Sequence, residues 1–191
     1  KSSLVAAAEP AYPAGWPRGK PMSLRFVHLH LHTEFSLADS TIRVPEKPDY
    51  ARPEKAGDRP NLLSRAIELQ LPALAVTDRN NLFALVKFYK AAESVGIKPI
   101  AGADIMVADG GDAPSLLTLL CRDHGGYLSL SRLLTRAWMQ GQRGDGVAID
   151  PEWLRDDHKG LFAIAGRGSR AGRLALANGH DLAESQLAAL Q

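Results

Sequence analysis

The sequence predicts an α/β fold, with a sheet either open or closed into a barrel. Short apolar runs of strand length alternate with segments of helical period from Phe26 to Ala165. Such alternation favours parallel pairing, because parallel neighbours need long crossovers and burial on both faces. At 191 residues, 45% apolar and 23% charged, the chain can form a packed core and lies outside the composition of disordered proteins.

The elements follow in order. Residues 1–23 hold Pro10, Pro13, Pro17 and Pro21 among Ala, Gly and Ser, and are expected to be a flexible arm. The apolar stretch from Leu4 to Ala8 is shorter than the roughly 7–15 residues of a signal-peptide core. From Phe26 the pattern is strict alternation, with Phe26, His28, His30 and His32 on one side and Val27, Leu29 and Leu31 on the other; this is the period of a strand. Residues 41–60, with Pro45, Pro48, Pro53, Pro60 and many charges, read as an exposed loop insertion.

Asn61 can cap a helix over residues 62–70, which Leu71 and Pro72 end. Residues 73–77 form a strand-length apolar run, and Leu82, Leu85, Val86, Tyr89, Ala92 and Val95 then repeat at helical spacing up to a stop at Gly96. Further strands are expected at 97–107, 116–121 and 161–165, with a helix through Leu130, Leu133, Leu134, Ala137 and Trp138. These strand signals fall short of a closed barrel, and the final apolar pattern of Leu182, Leu187 and Leu190 has no cap, so an incomplete unit is expected.

Composition excludes several classes. A net charge of +2 is too small to argue for nucleic-acid binding on electrostatics. The single cysteine, Cys121, cannot form an internal disulfide, which fits a reducing cytosol. Apolar runs are far shorter than the roughly 20 residues of a membrane-spanning helix. There is no phosphate-binding Gly-x-x-x-x-Gly-Lys loop, no dinucleotide glycine motif and no cysteine pair for zinc. Gly166-Arg167-Gly168 reads as a turn.

The chemistry lies in the histidines. Residues two apart on a strand face the same way, so His30 and His32 can turn their rings toward one cation, and such a pair suits zinc, manganese or iron. Taken alone, the pair is a weak signal, and a packed or solvated face accounts for it more readily than a metal does. Carboxylates then appear near strand ends: Asp78 after the run 73–77, Asp104 in the following strand, and Asp39 shortly past His32. Ligands gather at such edges in α/β sheets, so three acids and two histidines could converge. His28 is expected in a hydrogen-bonded structural role, Asp156-Asp157-His158 in a surface turn, and His124 and His180 in glycine-bearing turns.

The runs Phe26–Asp39 (FVHLHLHTEFSLAD), Leu74–Leu82 (LAVTDRNNL), Val86–Tyr89 (VKFY) and Gly96–Asp104 (GIKPIAGAD) resemble the N-terminal PHP (polymerase and histidinol phosphatase) domain of bacterial DNA polymerase III alpha subunits. The resemblance extends over residues 24–191 and is closer to the replicative branch than to its error-prone paralogue. It implies a distorted β/α barrel, seven-stranded in the family, with a site for metal ions. It also implies a scaffold within the alpha subunit, docking of the proofreading exonuclease subunit, contact with DNA through the parent chain, magnesium for the parent polymerase, and a cytoplasmic location with no membrane partner.

By the same resemblance, His30, His32, Asp39, Asp78 and Asp104 match family metal-site positions, with His30, His32 and Asp78 the expected ligands. Arg79 and Arg167 stand where metal-competent members carry His and Cys. Guanidinium stays protonated and offers no lone pair. The expectation is therefore a vestigial site with no cofactor or a single zinc or manganese ion, in which Arg79 and Arg167 supply counter-charge to Asp39, Asp78 or Asp104. Alternative readings are an active metal-dependent phosphoesterase, and an interaction module that uses residues 41–60.

Overall fold

A computed structural model of the chain describes residues 26–56, 60–109, 112–144, 146–177 and 179–188. The arm expected at 1–23 and the last residues of the C-terminal pattern lie outside the described residues. Four strands form the main sheet: β1 (Ala73–Val76), β2 (Lys98–Asp109), β3 (Asp112–Cys121) and β6 (Leu161–Ile164), in the order β1-β2-β3-β6. A separate two-stranded ribbon pairs β4 (Gln142–Arg143) with β5 (Gly146–Val147).

The sheet is mixed rather than parallel throughout. β1 and β2 are parallel, from Ala73 opposite Lys98 to Val76 opposite Ala101, with the crossover supplied by α3 (Leu85–Ser94). β2 and β3 are antiparallel. The physical reason is length: too few residues separate Val107 from Leu116 for a crossover, so these runs can only fold back as a hairpin. β6 is antiparallel to β3, and therefore runs in the same direction as β1 and β2.

The first predicted strand is replaced by a looser arrangement. Residues 26–32 run extended beside β1, yet they form only one isolated bridge, His28 with Leu74. The Ala75 amide donates to the His28 carbonyl at 2.9 Å and the Thr77 amide to the Leu31 carbonyl at 2.8 Å. His28 thus anchors through its backbone, while its ring meets Phe26 edge-on at 4.5 Å.

The proline-rich segment is more ordered than a loop. A 3-10 turn, Pro48–Ala51, and the short helix α1 (Pro53–Ala56) occupy it. Val44 and Ala51 are buried in one core cluster with Leu62, Leu63, Leu74, Phe88 and Ile97. Each helix here begins with proline, whose missing N–H would be unpaired there in any case. Asn61 caps α2 (Leu62–Glu68), its Oδ1 accepting the Leu63 and Ser64 amides at 3.1 and 3.0 Å. Gly96 takes φ +74° after α3, the left-handed value that favours glycine at a helix end.

The second core cluster joins the hairpin to α4 (His124–Gln140), with Ala103, Ile105, Leu117 and Leu119 packed on Leu130, Leu133 and Leu134. α4 begins earlier than its apolar stripe suggests. Asp123 caps it, its Oδ1 accepting the Gly126 amide at 2.9 Å; that bond, and next Arg122 beside it, hold the Asp123 carboxyl below its usual range. His124 therefore opens α4, and His180 opens α7 (His180–Ala188), instead of standing in turns. α5 (Pro151–Asp156) and α6 (Arg170–Leu176) complete the fold. His158 is exposed just past α5, and the neighbouring Asp157 pairs with Arg132, in keeping with a surface turn.

Gly126 packs against Gly160, where an added Cβ would overlap the Gly160 carbonyl, while nothing lies within 4 Å of a Cβ at Gly166. Gly126→Ala should cost about 2 kcal/mol through overpacking. Gly166→Ala should stay within about 0.5 kcal/mol of the parent. Urea unfolding midpoints of the two variants check this contrast.

Candidate metal centre

Alternation along the hairpin decides which side chains face the site. Ala103 and Ile105 point into the core under α4, so Asp104 between them points to the opposite face, as does Thr118 between Leu117 and Leu119. Asp104 and Thr118 are direct cross-strand partners. On the same side, the extended segment brings His30 and His32 alongside the end of β1, held by the Leu31 amide donating to Thr77 Oγ1 at 2.9 Å.

These residues converge on one carboxylate. Nε2 of His30 lies 2.7 Å and Nε2 of His32 lies 2.8 Å from the same oxygen, Asp104 Oδ2. Both distances are those of hydrogen bonds, so the two rings meet on one carboxylate oxygen. Asp104 Oδ1 accepts the Thr118 hydroxyl at 2.5 Å. The Asp104 side chain is 0% exposed, that of His32 14% and that of His30 52%, so the group opens to solvent on the His30 side.

Asp39 stands at the margin. Its Oδ2 is 3.8 Å from Nδ1 of His32 and 3.1 Å from Nη2 of Arg79. Arg79 therefore meets one of the acids expected for it. Arg167 does not: it is exposed and has no ion pair among the described residues. The reason is position, since it lies in the turn after β6, where Gly166 and Gly168 are exposed as well.

Asp78 also departs from its expected role as a ligand. It is buried and faces the loop after His32: Oδ1 accepts the Thr33 amide at 2.7 Å and the Ser36 hydroxyl at 2.6 Å, and Oδ2 accepts the Thr33 hydroxyl at 2.7 Å. The Ser36 oxygen in turn accepts the Arg79 amide at 3.0 Å. With both oxygens engaged by three donors, Asp78 ties the loop of residues 33–36 to the end of β1 and is not in the group of ligand atoms that His30, His32 and Asp104 form.

The donor set fits one cation. Among the described residues, His30, His32 and Asp104 are the group of three whose ligand atoms lie within 4.8 Å of one another. Two imidazoles and a carboxylate suit a divalent transition metal. They do not fit a cluster of two or three ions. No second group of three such ligands occurs among the described residues, and Arg79 places a fixed positive charge beside Asp39.

Thr33, Ser36 and Thr118 were missed in the motif reading. For Thr118 a signal exists: it is the one polar residue in the apolar run Leu116–Cys121, and a hydroxyl buried there needs a partner. Thr33 and Ser36 gave no such signal.

Residues 28–191 match the family described as PHP domain. Over 164 residues, 85% of this chain, the sequence is 66% identical to DNA polymerase III subunit alpha of Xylella fastidiosa, covering 14% of that protein. Identity is 44% over 147 residues with the subunit of the same name from Pseudomonas aeruginosa, and 37% over 144 residues with that from Escherichia coli, in each case 11% of the longer protein. The chain thus spans a small part of the relatives it matches.

Asp78→Asn sets an amide NH2 against hydroxyl and amide donors in a buried pocket. The expected loss is about 2–4 kcal/mol of stability. Arg79→Ala breaks a half-exposed pair and should cost at most about 1 kcal/mol. Thermal unfolding of both variants in metal-free buffer measures the difference.

Proposed function

The chain belongs to the PHP domain family, and from that premise we propose that it is the PHP domain of a DNA polymerase III alpha subunit, serving as scaffold and docking surface with a reduced metal site. The observation that carries this reading is the charge arrangement at the site. The Arg79 guanidinium is 3.1 Å from Asp39, and Asp78 is committed to Thr33 and Ser36. That leaves His30, His32 and Asp104 as donors for one ion, whereas clamping both the attacking and the leaving oxygen of a phosphoester calls for two.

In this reading the partners are the remainder of the alpha subunit, the proofreading exonuclease subunit, and DNA reached through the parent chain, in the cytoplasm. Magnesium serves nucleotidyl transfer elsewhere in the parent protein. The bound ion of this domain, where present, is zinc or manganese. The support is the identity to alpha subunits over 85% of the chain, together with the absence, among the described residues, of a helix long and apolar enough to cross a membrane.

A second reading, a single-ion phosphoesterase, is favoured by the convergence of His30, His32 and Asp104. An ion there would acidify a bound water and draw charge from phosphoryl oxygens. The surrounding residues serve that chemistry poorly. Asp39, at the margin of the site, is paired with Arg79.

With excess manganese and p-nitrophenyl phosphate, the wild-type chain should show no turnover above a His32→Ala control. Equilibrium dialysis should give at most one manganese per chain. Arg79→His, which exchanges a fixed cation for a ring nitrogen with a lone pair, should raise that number. Turnover that disappears in His32→Ala would overturn the scaffold reading in favour of the phosphoesterase.

A further inference from the structure

We propose that Thr118 is a positioning residue for the single-cation site: its hydroxyl holds the Asp104 carboxylate so that Oδ2 alone is presented to His30 and His32. This inference rests on the one-ion reading above.

Asp104 sits on a pinned backbone. Its amide donates to the carbonyls of Thr77 and Asp78 at 3.3 and 3.2 Å, and its carbonyl accepts the Asn80 amide at 2.7 Å. What remains free is the side chain, and the terminal torsion of an aspartate has a broad, weakly preferred range. Thr118 removes that freedom. It lies opposite Asp104 in the hairpin, and opposite Ile164 of β6 on its other side, so it is flanked by strands on both edges. Being β-branched, it has few rotamers of its own.

The Thr118 hydroxyl donates to Asp104 Oδ1 at 2.5 Å, and the two residues are 5% and 0% exposed. A bond between such buried groups is worth more than one in water, and the acceptor is costly to leave unpaired. The consequence is that the two carboxylate oxygens are not interchangeable. Oδ1 belongs to Thr118 and Oδ2 to the imidazoles. Asp104 therefore presents Oδ2 to a cation shared with the two imidazoles. Hydrogen-bonding partners behind a metal ligand commonly set its affinity in this way.

Thr118→Val keeps the shape of the side chain and removes the hydroxyl, while Thr118→Ser keeps the hydroxyl. The probe is manganese alone, followed by calorimetry, with thermal unfolding of the metal-free proteins measured in parallel. Wild type should bind one ion. Thr118→Val should bind it about 10–100-fold more weakly, and Thr118→Ser should stay within about threefold of wild type, since it preserves the donor. A valine variant that melts lower but binds manganese as tightly as wild type would assign Thr118 a purely structural role and overturn the proposal. Should the valine variant not fold, Thr118→Ala against Thr118→Ser makes the same comparison. No binding by wild type removes the one-ion reading itself, and this inference with it; binding by wild type with no loss in the hydroxyl-free variants removes only the inference.

Discussion

The rest of the structure depends on a single buried carboxylate. Asp104 has no exposure, and a charge without water must be met by donors placed around it. They come from His30, His32 and Thr118, which stand 74, 72 and 14 residues away in sequence. Bringing them together requires the extended segment at residues 26–32, the parallel pair β1–β2 and the hairpin β2–β3 in their observed register. The second buried carboxylate, Asp78, binds Thr33 and Ser36. In doing so it fixes the loop that follows His32. One acid gathers the site, and the other holds the wall from which the histidines project.

Parts of this were legible in the sequence because they depend on local chemistry. The Asn61 cap, the glycine stop at Gly96 and the period of α3 and α4 all appear close to where residue type puts them. The His30 and His32 pair is legible from its spacing on an extended segment, whereas the acid that meets it is Asp104 and not the expected Asp78. What escaped depends on geometry across strands. Parallel pairing was expected for a hairpin whose loop is too short for it, and residues 41–60 were read as a loop although Val44 and Ala51 enter the core. Asp78 is expected at the site from its place at a strand end and from the family resemblance, and Arg167 from the resemblance alone. Hydrogen bonds from Thr33 and Ser36 engage the first, and the turn after β6 leaves the second in solvent.

Arg79 gives the site its particular character. A guanidinium beside Asp39 carries a charge that no change of pH in the physiological range removes. Its backbone is held as firmly as its side chain: the Arg79 amide reaches Ser36, and Arg79 forms a bridge with Asp104 across to β2. The next residue, Asn80, takes φ +53° and accepts the Trp138 indole N–H on its carbonyl at 2.8 Å, which ties the loop to α4. The loop that carries Arg79 is thereby fixed beside the group of His30, His32 and Asp104.

Anomalous diffraction from crystals of the chain soaked in manganese tests the central claim most directly. The account predicts at most one anomalous peak, bounded by His30, His32 and Asp104, with Arg79 still against Asp39. Two or three peaks bridged by carboxylates, with the Arg79 side chain displaced from Asp39, would contradict it.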